Sequence, residues 1–152
     1  MTDIELTQEA PRHFVGIRRK VHTAKLPAFY AEVFPKVMAW LGEKGITPSS
    51  MPMSVWCDMD METGVADTHA GVFVAAAVDV DGEMSAGTTS GGDVLKLVHQ
   101  GGYDSMGQSW GRVFGHAKEL GRAPGAGWEI YVDDPSEVEP SELRTEIYLP
   151  VS

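Results

Sequence analysis

The sequence predicts an α+β domain built from duplicated strand-helix-strand-strand half-domains. They form a mainly antiparallel sheet with two helices packed on one side and a central cleft where the halves meet. The run Met53-Ser-Val-Trp-Cys-Asp58 returns as Trp128-Glu-Ile-Tyr-Val-Asp133, and Val72-Phe-Val74 as Ile147-Tyr-Leu149, each at an offset of 75 residues. The closing turn Leu41-Gly-Glu-Lys-Gly45 is matched by Ala117-Lys-Glu-Leu-Gly121, the glycines at an offset of 76. Ahead of each pair of strand-like runs, apolar residues recur at helical spacing.

The elements follow in order. Phe14–Val21 is an apolar strand with a basic end. From Pro27 to Lys44 the residues Phe29, Val33, Val37 and Leu41 recur every fourth position, a helix burying one face, with Gly45 as its stop. Pro35 lies inside that helix and predicts a kink, because proline removes a backbone donor. A breaker-rich loop over 46–52 leads into the strand Met53–Asp58. The polar stretch Met59–Thr68 reads as a loop, and the small apolar run Gly71–Val80 as a strand buried on both faces. Asp81-Gly82 marks a turn, and Ser85–Gly92 reads as the loop linking half-repeats at about 12–80 and 90–152 of one domain, 1–152. A strand at about Asp93–His99 follows. The second helix begins near Tyr103 to Ser105, with Met106, Trp110, Val113, Phe114, Ala117 and Leu120 at amphipathic spacing. Strands Trp128–Val132 and Thr145–Val151 close the chain, separated by Asp133-Asp-Pro135 and an acidic loop.

A length of 152 residues suits one domain with a real core, and two copies of a repeat are too few for a solenoid. With 22 Asp and Glu against 12 Lys and Arg, the net charge of −10 argues against binding a phosphate backbone and tolerates cationic partners. Cys57 is the single cysteine, so no intramolecular disulfide forms, and its apolar strand marks a buried, inert thiol. Neither a signal peptide nor a membrane-spanning apolar run is visible, which gives the cytoplasm as the default location. The five histidines lack zinc spacing, and Asp58, Asp60 and Glu62 lack the pattern of a calcium loop, so no metal and no cofactor are expected. No nucleophile elbow, phosphate loop or dinucleotide fingerprint is present.

Alternation along Trp128–Val132 sets Trp128, Ile130 and Val132 on one face, Glu129 and Tyr131 on the other. With helices covering the apolar face, the opposite face carries a carboxylate beside an aromatic. The matching first-half strand sets Ser54 and Trp56 on the equivalent side. Across a pseudo-twofold seam these four converge on a pocket with aromatic walls and a single negative charge, suited to flat cations. The competing arrangement leaves Glu129 in water on a one-sided sheet, with Tyr131 against a neighbouring strand.

Read together, the basic strand and the Pro-Ala-Phe-Tyr helix entry at 14–30, His99-x-Gly-x-Tyr103, Trp128-Glu-Ile-Tyr-Val-Asp-Asp-Pro135 and Thr145-Glu-Ile-Tyr-Leu-Pro-Val151 resemble the GyrI-like small-molecule-binding domain. That domain is also the effector-binding part of multidrug-sensing transcription activators. The resemblance implies a duplicated fold whose cleft accepts hydrophobic, frequently cationic compounds around an acidic residue. Carried over, Glu129 is that acid, with Tyr131 and Trp56 as walls and Tyr103 and Trp110 as secondary candidates; Glu146 is the alternative acid. No helix-turn-helix segment precedes the domain in this sequence, so direct nucleic-acid binding is not expected. The leading function is a stand-alone binding module for hydrophobic or cationic small molecules, acting as a sensor, a sequestering protein or the partner of a separate regulator. One alternative, which leaves open whether the chain is an enzyme, is hydrolysis of cyclopropane-type electrophiles with Glu129 orienting water. The other is acidic inhibition of DNA gyrase.

Overall fold

The computed structural model describes residues 4–134 and 136–152. The chain forms two compact units, Arg12–Thr89 and, separately, the segment ending at Pro11 together with Ser90–Ser152. Pro135, part of the turn expected between the last two strands, lies outside the described residues. The signal-peptide reading likewise falls partly on residues 1–3, outside them.

In the Arg12–Thr89 unit, β2 (His13–His22) is followed by α1 (Leu26–Lys44), β3 (Met53–Asp60), β4 (Val65–Val74) and β5 (Ser85–Thr88). All pairings are antiparallel, in the order β3, β4, β2, β5. The predicted stripe of α1 is buried at every position: Phe29 is 5%, Val33 and Val37 0% and Leu41 1% exposed. It packs on Val15 and Ile17 of β2 and on Ala70, Val72 and Val74 of β4. Pro35 sits on the exposed side, and the helix continues unbroken past it to a left-handed cap at Gly45.

In the other unit, β1 (Glu5–Glu9) joins β6 (Gly92–Gln100), followed by α2 (Met106–Glu119), β7 (Trp128–Tyr131) and β8 (Arg144–Pro150). The order is β1, β6, β8, β7, again antiparallel. A short 3-10 turn, Tyr103–Ser105, leads into α2. Met106, Val113 and Ala117 bury against Leu95, Leu97, Ile147 and Leu149. Phe114 and Leu120, expected in the same buried stripe, are 47% and 44% exposed. Leu120 falls just beyond the last helical turn, and Phe114 rests on the Trp110 ring, 5.7 Å between centroids.

The architecture is therefore α+β, with antiparallel strands and the strand-helix-strand-strand plan present twice. Three boundaries differ from the sequence reading. The stretch 59–68 is not a loop, because β3 runs on to Asp60 and β4 starts at Val65 after a four-residue turn. The run read as Gly71–Val80 stops pairing at Val74, since Ala75, Ala76 and Ala77 are exposed and offer no branched or aromatic side chain to a sheet face. Ser85–Thr88 is a strand, pairing with His13–Gly16, rather than part of a linker. Its small residues serve packing: a Cβ on Gly87 would stand 2.5 Å from Cζ of Phe14, so only glycine leaves room for that ring.

Gly16 and Gly71 face each other in the β2–β4 register. A Cβ on Gly71 would lie 1.9 Å from the Val15 carbonyl oxygen, and one on Gly16 would lie 2.1 Å from that of Ala70. Backbone cannot yield as a side chain can. Gly71→Ala is expected to destabilise the protein by about 3 kcal/mol, read from the midpoint of a urea transition.

His69 of β4 is 3% exposed and donates through Nε2 to the Ser85 carbonyl of β5 at 3.0 Å. Its ring meets the edge of Phe14 at 4.8 Å. Burial pushes its pKa below the ordinary value of 6.5, with nearby Arg18 adding in the same direction; the bonds to Ser85 and Gly16, and Asp67, oppose this. The unfolded chain thus takes up the proton first. Stability is complete above about pH 6.5 and declines as the pH falls through the depressed folded-state value. Thermal midpoints between pH 7.5 and pH 5 should fall for the native chain and fall less for His69→Gln.

Candidate functional site

Cross-strand register decides which way the predicted acid points. Glu129 of β7 pairs with Ile147 of β8, which pairs with Leu97 of β6; Tyr131 pairs with Thr145, which pairs with His99. Ile147 and Leu97 belong to the core beneath α2. Glu129 and Tyr131 therefore stand on the helix-covered face. Trp128 and Ile130 lie on the opposite one, where Trp128 stacks on Tyr148 at 5.2 Å. This inverts the sequence expectation. Alternation along a strand fixes only that neighbours oppose each other, whereas the side taken by the helix follows from the pairing with β8.

Glu129 is 4% exposed. A carboxylate so buried stays charged only where donors replace the lost water. Trp110 of α2 donates its indole N–H to Oε1 at 2.5 Å, and Tyr131 donates its phenol O–H to Oε2 at 2.8 Å. The Tyr103 ring meets that of Tyr131 edge-on, 5.8 Å between centroids. Burial raises the Tyr103 pKa above its ordinary value, and the negative charges of Glu129, Asp134 and Asp133 raise it further. Four expected site residues, Glu129, Tyr131, Tyr103 and Trp110, thus form one cluster of three rings around one carboxylate.

Ser54 and Trp56 belong to the other unit. They pair with Ala70 and Thr68 and so stand on the α1 face of β3. Among the described residues neither Ser54 Oγ nor Trp56 Nε1 has a hydrogen-bond partner, and both atoms are buried. Leaving such a group unmet costs about 1–3 kcal/mol.

Glu146, the alternative acid, lies on the face away from α2. It accepts from the Tyr148 hydroxyl at 3.0 Å and stands 3.9 Å from Lys96 Nζ. Cys57 is half-buried, and desolvation raises its thiol pKa, which keeps it protonated.

The sequence reading missed the brace behind this cluster. His99, 5% exposed, has Nε2 at 3.0 Å from the Gly102 carbonyl and Nδ1 at 2.7 Å from Ser109 Oγ. The carbonyl can only accept, so Nε2 carries the hydrogen, and in the neutral ring Nδ1 accepts from the Ser109 hydroxyl. Gly102 precedes Tyr103 and Ser109 precedes Trp110, so one imidazole fastens both ends of the segment that supplies these two rings. A cavity of about 370 Å³ adjoins the brace, lined by His99, Gln100, Ser105, Gln108 and Arg112 among others. None of the four cluster residues lines it. The local signal was His99-x-Gly-x-Tyr103 followed by a serine at helical reach.

Fold and site define a small-molecule-binding domain with one acidic, aromatic-walled cluster. The GyrI-like small molecule binding domain model matches residues 2–152, and the chain belongs to that family. No curated protein sequence matches it. Among solved structures, the EcmrR C-terminal domain superposes with a TM-score of 0.85 at 16% identity, covering 100% of this chain and 98% of that one. EcmrR in its DNA complex gives 0.83 at 16% identity, over 99% of this chain and 57% of that one, so this chain spans little more than half the length of EcmrR. SAV2435 bound to tetraphenylphosphonium gives 0.68 at 15% identity, over 99% of this chain and 94% of that one. A hydrolase from Listeria innocua gives 0.63 at 15% identity, over 98% and 91%. At these identities the likeness shows the fold.

Deleting the Tyr131 hydroxyl leaves the carboxylate one donor short. Tyr131→Phe is expected to lower stability by about 1–3 kcal/mol, measured by urea denaturation without ligand.

Proposed function

We propose that the chain binds hydrophobic cations, with Glu129 as the anionic anchor and Trp110, Tyr131 and Tyr103 as its walls. The observation that carries this reading is a carboxylate 4% exposed beside three aromatic rings, two of which donate to it through an indole N–H and a phenol O–H. A cation arriving there gains Coulomb attraction in a medium poorer in water than bulk solvent and quadrupole attraction from the rings, on the order of 0.5–2 kcal/mol per ring. A bulky cation with diffuse charge loses less hydration on entry than an ammonium group, which favours phosphonium and planar dye cations. The fold neighbour SAV2435 carries tetraphenylphosphonium, in keeping with that preference. The roles consistent with such binding are sensing and sequestration.

A second reading is hydrolysis, favoured by the bond between the Tyr131 hydroxyl and Glu129: a phenol beside a carboxylate can donate to a leaving group while the carboxylate orients water. A fold neighbour is a hydrolase. Substrates in this reading are electrophiles of the strained-ring class.

Titration with tetraphenylphosphonium, followed by tryptophan fluorescence, should saturate. Glu129→Gln is expected to weaken it at least about tenfold, or ~1.4 kcal/mol, and Glu146→Gln by less than about twofold. Equal losses from the two changes would remove Glu129 from its role. Loss of a strained-ring electrophile over many turnovers, abolished by Glu129→Gln, would establish hydrolysis; consumption of no more than one equivalent would exclude it for that compound.

A further inference from the structure

We infer that His99 is a positioning residue of the cation site, acting through Gly102 and Ser109 on Tyr103 and Trp110 and thereby selecting ring-bearing cations over aliphatic ones of the same charge. The inference rests on the reading of Glu129 as anchor and adds what holds two of its walls. Tyr103 is 44% exposed, so packing does not fix its ring. The backbone that carries it is loosely determined too, because Gly101 has a φ of 127°, Gly102 follows it, and no side chain caps the start of the 3-10 turn or of α2. Glycines leave a chain its widest conformational choice. The Gly101 N–H is tied to the Leu143 carbonyl at 2.8 Å, and beyond that point the turn is held from β6 by His99.

His99 suits that task. It pairs with Thr145 of β8 and is 5% exposed, so its ring projects from a paired and buried strand. One nitrogen sets the residue before Tyr103 and the other the residue before Trp110, at 3.0 and 2.7 Å. Walls held before a ligand arrives need not be ordered by it, which strengthens binding of a ligand that lays rings against both. A cation without rings gains little from the same order. A purely structural role would act differently, since a loss of binding-competent protein scales the apparent affinity for every ligand by one factor. The ratio of two affinities therefore separates positioning from stability.

Tetraphenylphosphonium and tetraethylphosphonium carry the same charge on phosphorus and differ in their rings. In calorimetric titrations of the full chain, Ser109→Ala should lower the affinity for the phenyl cation about tenfold and for the ethyl cation less than about twofold. His99→Gln keeps a side-chain N–H for Gly102 but loses the acceptor for Ser109, so it should match Ser109→Ala, and the double variant should be no weaker than either alone. His99→Ala loses both ties and should bind the phenyl cation more weakly still. An unchanged phenyl-to-ethyl ratio in Ser109→Ala, a fall of both affinities by one factor, or additive losses in the double variant would overturn the inference. Should His99→Ala fail to fold, Ser109→Ala alone decides. Absence of saturable phenyl-cation binding by the native chain would sink the reading of Glu129 and this inference with it. Native binding that Glu129→Gln weakens, with the ratio intact in Ser109→Ala, sinks this inference alone.

Discussion

A carboxylate cannot leave water unaccompanied, and that constraint organises the unit built from β1, β6, β7, β8 and α2. Glu129 lies under α2, where an unpaired charge would cost several kcal/mol. An indole on the helix and a phenol two residues along the same strand both donate to it. The helix must therefore present Trp110 at one height and rotation above β7. The apolar contacts of Met106, Val113 and Ala117 fix the helix against β6 and β8. The His99 brace fixes its leading turn. Packing, capping and charge burial converge on one placement of the Trp110 nitrogen.

Duplication supplies this unit with a counterpart, and the outermost strand of each is handled in one way. The strand beside β6 is β1, which precedes β2 in the chain; the strand beside β2 is β5, which precedes β6. Each unit's first strand is thus flanked by the lead-in to the other's. The flanking strands are short and polar or small, Glu-Leu-Thr-Gln-Glu and Ser-Ala-Gly-Thr, as suits an edge that should not recruit another chain.

Those same properties hid them from the sequence reading, for a strand that contributes backbone bonds but no apolar face leaves no periodic trace. What was legible had a period: the α1 stripe, the strands repeated at a fixed offset, and the pairing of Glu129 with Tyr131 on one face. What was not legible depended on register between distant segments. The side of β7 covered by α2 is set by which β8 residue lies opposite Glu129, and no local pattern encodes that. Trp110 illustrates a different loss. Helical spacing assigns it to an apolar stripe, and only the three-dimensional neighbourhood reveals that its N–H, rather than its area, is what Glu129 requires.

The two halves also show how a repeated scaffold diverges without changing shape. At matched positions one strand carries Glu and Tyr, the other Ser and Trp, all on the face toward their own helix. Replacing a carboxylate by a hydroxyl removes a charge that would need several donors, so the helix above β3 is released from supplying a polar group. At the position 76 residues before Trp110 it indeed offers Phe34, whose ring stacks on Tyr30. That freedom carries its own consequence. Among the described residues the buried hydroxyl and indole N–H of that strand have no hydrogen-bond partner. Charge in one half and unmet donors in the other are thus two outcomes of a single rule, that polar atoms beneath a helix need partners and the helix sequence decides whether the protein provides them.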